Sequence, residues 1–344
     1  MSTRFATFET PKSVPFFLLL AAFVCAGFFL VDGGEVRAQN AVPPLEQLDS
    51  FEFPFENVDL KPVVGAVAIS PDRSKIYVGG DDQRVYAWEV ATKEVAPVFA
   101  KLDDWTRALA FSPTAPDEIA TLTQAGQLQV WNAKTQKLVR QAREKVLGAR
   151  DFAYSPNGKV IAVCGFRSEV YVFNADKLDL LTVWRAPGES STSIRFSPDG
   201  SLLAVGGRNG VVRVWTTKDG KVAREFKSSG NRRVRAVAFS PDGSQVAAAG
   251  DGSRVEIWNV ADGAKVAELP LAEGRVFSLA FCGPNKIATG DSVNRVRIWD
   301  VAAKKEIARG EGHVGTVAVL QFDATNSTLL SGGFDTTVVK WKIP

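Results

Sequence analysis

Seven large aromatic residues are spaced almost evenly along this chain: Trp88, Trp131, Phe173, Trp215, Trp258, Trp299 and Trp341, at intervals of 43, 42, 42, 43, 41 and 42 residues. A second series keeps step with it at Ile69, Phe111, Tyr154, Phe196, Phe239, Phe281 and Phe322. Between the two series lies one recurring unit, clearest at Ser193–Trp215, SIRFSPDGSLLAVGGRNGVVRVW. Ile194 and Phe196 alternate with polar neighbours, the period of a strand with one buried face. Ser197-Pro198-Asp199-Gly200 is a turn: proline fixes φ at its first corner, and glycine accepts the positive φ needed to leave it. Leu202–Val205 is apolar on successive residues, so both faces of that strand must be buried. Gly206–Gly210 turns the chain again, into Val211–Trp215. Five of the seven units carry Ser-Pro at the first turn.

A period near 42 residues with several short strands per unit is the signature of a β-propeller. One such sheet is too apolar to stand alone, and a ring sandwiches every copy between two neighbours without leaving an end. Residues 51–344 number 294, which is seven units of 42. Only Lys342-Ile343-Pro344 follow the last Trp, so the seventh unit has no room for its own outer strand. Counting one repeat back from Val95–Ala100 puts the missing strand at Phe53–Val58, where Pro54 is tolerable on an unpaired edge. The segment Gln136–Val146 has helical composition, but the repeat register makes it a fourth strand and a linking loop. The expected fold is all-β: a seven-bladed β-propeller of four-stranded antiparallel blades, closed by an N-terminal outer strand.

The Phe-Ser-Pro-Asp-Gly, Ala-Val-Gly-Gly, Val-Trp-Asn and Ile-Trp-Asp motifs, set in seven units that keep one register, resemble those of the WD-repeat seven-bladed β-propeller family. The resemblance covers everything after about Phe51. The family's hydrogen-bonding tetrad maps onto His313, Ser331, Asp335 and Trp341, which implies a structural role for the one histidine of the chain. Elsewhere the tetrad is eroded: Asp82 keeps the acidic position of the first unit, but the equivalents are Ala125, Arg167, Asn209, Gly252 and Val293. The resemblance also implies a partner-binding rim, at positions six and four residues before the first-strand aromatic and just before the tetrad Asp position. Here these include Trp105, Arg107, Arg150, Phe166, Arg208, Arg233, Arg235, Arg275, Phe277 and Phe334. Arginine beside exposed aromatics is the composition of interaction hot spots. The competing reading is that these arginines are merely solvated or pair with Asp81 or Asp251. The implied function is a non-catalytic protein-protein interaction scaffold, a monomer whose partner is another protein of acidic character.

The first 38 residues are a different material. Arg4 and Lys12 precede an apolar run, Val14–Val31, and Val36-Arg37-Ala38 places small residues at −3 and −1 of a cleavage site. That order is a secretory signal; the alternative is an uncleaved anchor, since 18 apolar residues approach a bilayer's width. The chain therefore divides into a signal peptide (1–38), a linker (39–50) and the propeller (51–344). It looks like an exported, bacterial-type member, secreted or periplasmic, touching a membrane only if the leader stays attached. Cys25 lacks the small preceding residue that a lipoprotein signal wants.

The chemistry-bearing residues are few. Net charge is +3 with or without the leader, too small to argue for nucleic acid. Cys164 and Cys282 fall in distant units and cannot reach disulfide distance on a ring. Cys-x-x-Cys-His and clustered His/Cys are absent, so neither haem nor zinc is expected, and no cofactor or metal is assigned. Asp81-Asp82 and Asp103-Asp104 read as turn residues. The glycine pairs at Gly79, Gly206 and Gly332 lead into turns rather than helices, so they are no phosphate loops. An exported propeller enzyme of lactonase or quinone-cofactor dehydrogenase type would need convergent acids or histidines at the ring centre, and the sequence offers none. A Tol-type envelope propeller shares the Ser-Pro-Asp-Gly turns but not the Trp-Asn and Trp-Asp pairs.

Overall fold

The Ser-Pro-Asp-Gly turn shows why each unit folds back on itself. In the computed structural model, which describes residues 42–52, 63–186 and 188–344, Ser197 Oγ donates to Asp199 Oδ1 at 2.6 Å. The same oxygen accepts from the Leu202 amide at 2.9 Å, and the Ser201 amide donates to Asp199 at 3.0 Å. Gly200 takes φ 72° to leave the turn. Ser70/Asp72 and Ser240/Asp242 repeat these bonds. Hydrogen bonds from the serine hydroxyls hold all three aspartates below the usual carboxylate range. A turn satisfied by its own side chains fixes the strand register on either side of it.

Seven four-stranded antiparallel sheets result. Blade 4, built from the unit read above, runs Ser191–Phe196, Leu202–Gly207, Val211–Thr216 and Val222–Lys227 from the centre outward. The inner strands of the other blades are Val64–Ile69, Thr106–Phe111, Ala149–Tyr154, Val234–Phe239, Val276–Phe281 and Val317–Asp323. Each touches the next around the circle, and the last touches the first. The second strands are buried on both faces, as their continuous apolar runs require. The stretch read against its helical composition contains the strand Leu138–Gln141.

The seventh blade takes its outer strand from the start of the described chain: Gln47–Glu52 pairs antiparallel with Thr337–Lys342. Phe53–Val58, where the repeat count puts this strand, lies outside the described residues, as does the leader. The strand that fills the place begins earlier, and Gln47–Ser50 of it fall in the stretch read as linker. Just upstream, the Leu45 amide donates to the Arg309 carbonyl at 2.7 Å and the Arg309 amide to the Pro43 carbonyl at 3.0 Å. The N-terminal segment is thus tied to blade 6 as well as blade 7.

At three junctions between blades, an aromatic at the outer strand of one blade stacks on the Trp of the next. Phe226 meets Trp258 at 5.3 Å between centroids, Phe99 meets Trp131 at 5.0 Å, and Phe51 of the closing strand meets Trp88 at 5.3 Å. Such pairs add roughly 0.5–1.5 kcal/mol beyond the area they bury. Trp341 instead lies against backbone: a Cβ on Gly310 would sit 2.8 Å from its ring, so glycine is required there. Cys164 and Cys282 are both buried free thiols, and burial pushes the Cys282 thiol up to about 12.

Candidate functional site

All seven inner strands break register at the same place. The second residue of each, Gly65, Arg107, Arg150, Thr192, Arg235, Phe277 and Ala318, is skipped by the pairing with the second strand. A bulge residue turns out of the alternation of its strand. Repeated around a ring, that deviation lines the mouth of the central channel with seven residues, six of which carry side chains. The channel holds a cavity of about 860 Å³.

Eight of the ten residues singled out in the sequence line this cavity: Trp105, Arg107, Arg150, Phe166, Arg233, Arg235, Phe277 and Phe334. Arg208 and Arg275 do not. They stand exposed on the rim, near enough for both to act on Arg233 by like-charge repulsion. Three guanidinium groups lie over aromatic rings: Arg107 over Trp105 at 4.4 Å, Arg150 over Phe166 at 4.0 Å and Arg235 over Phe277 at 4.2 Å. Phe277 meets Phe334 edge-on at 6.1 Å. The mouth is therefore two-sided, with arginines on blades 2, 3 and 5, and aromatic or small residues on blades 6, 7 and 1.

Its charge is unbalanced. The lining carries five arginines (107, 150, 195, 233 and 235) and one carboxylate, Asp151. Asp151 is engaged by Arg195 at 2.6 Å and by the Ile194 amide at 3.1 Å. Arg235 is engaged by Asp251 at 2.6 Å, the pairing that the solvated-rim reading named. Asp81 accepts from the Val63 amide at 2.8 Å. Arg107, Arg150 and Arg233 have no carboxylate partner among the described residues, and their Nε atoms are buried without a hydrogen-bond partner. Burial, then the neighbouring Arg150, pulls the Arg107 pKa down to about 10. Burial, then Arg233 and Arg235, pulls Arg150 down. Burial and Arg235 do the same to Arg233, partly offset by Asp251. All three stay charged near neutral pH.

Two features of this mouth escape sequence reading. Thr192 occupies the bulge position of blade 4, and as a small side chain it lets Arg150 of blade 3 face Arg233 and Arg235 of blade 5. The Asp151–Arg195 pair joins two adjacent blades and has no counterpart in the repeat.

The tetrad residues form one hydrogen-bonded chain. Asp335 accepts at 3.0 Å from His313 Nδ1, His313 Nε2 lies 2.7 Å from Ser331 Oγ, and Trp341 Nε1 donates to Ser331 Oγ at 2.7 Å. This network assigns the Nδ1-protonated tautomer. Thr337 Oγ1 and the Val314 amide also donate to Asp335, each at 2.7 Å. Burial acts to raise the Asp335 carboxyl, but the bonds from His313 and Thr337 outweigh it and leave the value well below the usual range. Both ring nitrogens of His313 are engaged, which leaves no lone pair for a metal or a substrate.

Blade 6 solves the same packing problem differently. Trp299 donates to Thr289 Oγ1 at 3.0 Å, and a buried Arg297 (1% exposed) reaches Asp291 (0%) at 2.8 Å and Glu306 at 3.0 Å. Glu306 in turn holds Arg309 at 2.6 Å. The bonds from the two arginines keep Glu306 low against the burial that would raise it.

A model of the WD domain, G-beta repeat (WD40) matches residues 60–89, 179–216, 220–259 and 304–342. The last three segments each contain the outer strand of one blade and the three inner strands of the next, and the first contains the three inner strands of blade 1. Among curated relatives, the Protein LST8 homolog of Drosophila melanogaster is 25% identical over 172 residues, 47% of this chain and 54% of that protein. Echinoderm microtubule-associated protein-like 2 of Rattus norvegicus is 32% identical over 106 residues, 30% of this chain and 16% of that protein. Actin-interacting protein 1 of Drosophila melanogaster is 21% identical over 218 residues, 60% of this chain and 34% of that protein. The chain thus spans about half of the first and less of the others.

Proposed function

We propose that this chain, a seven-bladed propeller carrying WD40 repeats, is a non-catalytic protein-interaction scaffold whose working face is the channel mouth. The observation that carries the reading is the convergence of the bulge residues. Arginines and aromatics scattered from Trp105 to Phe334 come to one opening, with more positive charge than its own acids neutralise. Such a patch suits an acidic protein partner: guanidinium groups pair bidentately with carboxylates, and the aromatics add apolar area. Two of the relatives are named for associations with other proteins, with actin and with microtubules. The lining is basic where a hydrolytic or redox propeller would gather acids, so the chain is read as no enzyme, with no cofactor.

The same proposal places the protein outside the cytoplasm as a bacterial-type exported propeller. The support is the basic start, the apolar run Val14–Val31 and the Val-Arg-Ala site ending at Ala38. N-terminal sequencing of the mature protein is expected to begin at Gln39, and an intact Met1 in the membrane fraction would make it an anchored propeller instead. Capture from the native envelope with Gln39–Pro344 as bait is expected to return one acidic protein in stoichiometric amount. Return of none would overturn the scaffold reading.

A further inference from the structure

We propose that the channel mouth is a binding site for a small dianionic oxyanion, of the phosphate or sulfate class, held by Arg107, Arg150 and Arg233. This goes beyond the docking of a protein, because it concerns a discrete group bound below the rim and can be tested with no partner present.

The argument rests on three observations. The three guanidinium groups carry three positive charges around one cavity, and the carboxylates that act on them are already engaged: Asp151 by Arg195, Asp251 by Arg235 and Asp104 by the Trp105 amide. A single carboxylate would neutralise only one of the three, whereas a dianion with three or four oxygens can accept from all of them. The Nε atoms of Arg107, Arg150 and Arg233 are buried donors with no protein acceptor among the described residues. Buried donors in folded proteins are normally satisfied, and the three residues that carry these donors line one cavity. Finally, the stacking of Arg107 on Trp105 and of Arg150 on Phe166 restrains two of the guanidinium planes, so the donors are set before the ligand arrives. The small Thr192 between Arg150 and Arg235 keeps blade 4 from filling the gap.

The opposite wall says what such a group can carry. Phe277 and Phe334, edge to face, stand with Ala318 and Gly65 across the mouth. Phe334 is 41% exposed. An apolar substituent on the oxyanion would have a surface to lie on.

The test is calorimetric titration at constant ionic strength with sodium sulfate, inorganic phosphate, phenyl phosphate and, as the monoanion control, acetate. Saturable one-to-one binding of the dianions, at least tenfold tighter than acetate, is expected. Arg150→Met and Arg107→Gln should each weaken it tenfold or more, while Arg275→Gln on the exposed rim should change it less than twofold. Phenyl phosphate binding several-fold more tightly than inorganic phosphate, with the gain lost in Phe277→Ala, would assign the group to a larger apolar ligand. Equal affinity would assign it to the free ion. A second readout guards against misfolding: Arg150→Met should keep a cooperative melt in chloride buffer, and sulfate should raise its Tm by less than it raises the parent's. Acetate binding as tightly as sulfate, no saturable binding, or an Arg275→Gln loss equal to that of Arg150→Met would overturn the proposal.

Discussion

Replacing His313 by alanine tests whether the one histidine is a structural strut. Its side chain is fully buried and bonds to two groups that remain buried after it is gone. Asp335 loses one charge-assisted bond, worth about 1.5–3 kcal/mol, but keeps donors from Val314, Thr337 and Gly315. Ser331 loses a neutral bond, about 0.5–1.5 kcal/mol, and keeps the Trp341 indole. The two losses sum to about 3 kcal/mol, and at roughly 2.1 cal/mol/K per residue a propeller of this size loses about 5 °C of Tm. The pH dependence gives an independent check. Asp335 titrates lower in the folded state than unfolded, so its stabilisation is complete above the unfolded value near ~4 and is lost as pH falls toward the folded value. The parent and His313→Ala curves, from urea titrations between pH 7 and pH 3, should therefore lie furthest apart near neutrality and approach each other in acid. A variant within about 0.5 kcal/mol of the parent at pH 7 but unable to capture its partner would refute the strut and make His313 a site residue.

Removing the closing strand, residues 42–52, should leave Thr337–Lys342 with an open edge and expose Trp88 where Phe51 covers it. Size-exclusion chromatography is expected to show aggregation, and a monomer with the parent's thermal melt would contradict ring closure by this strand. Asp291→Ala leaves the buried Arg297 with Glu306 alone, which it shares with Arg309, and should cost about 3–5 kcal/mol in a denaturant titration, whereas Arg297→Met with Asp291→Ala and Glu306→Gln should recover most of it. A single Asp291→Ala variant as stable as the parent would show that the pair is already solvated.

The period of the Trp series was enough to read the blade count, the strand order and the both-sides-buried second strands, because every blade faces the same packing problem. The closing strand was harder to place. Counting back one repeat assumes a constant length between outer and inner strands, yet 11 residues (53–63) separate Glu52 from Val64, against 7 (99–105) between Val98 and Thr106. Connections are not held to the repeat by packing, so the count drifts there. The rim positions were legible for a related reason: a bulge at one point of every inner strand puts the fourth residue before the aromatic at the mouth each time. Arg208 and Arg275 share the pattern of Phe166 and Arg233 but stand exposed outside the cavity. The Arg297–Asp291–Glu306 network was invisible, because its members come from three strands of one blade and the equivalent pair of the fifth blade, Glu256 and Lys265, carries the opposite charges.

The account turns on the claim that the channel mouth is where a partner binds. Capture by the mature protein should therefore be measured across a salt series for the parent and for a variant with Arg107, Arg150, Arg233 and Arg235 all replaced by alanine, after the fold of the variant is confirmed. The account predicts that parent capture weakens steeply as salt rises, and that the variant captures poorly at every salt concentration with a flattened dependence. Capture by the variant equal to the parent's, with the same salt dependence, would contradict it and move the working surface elsewhere on the ring.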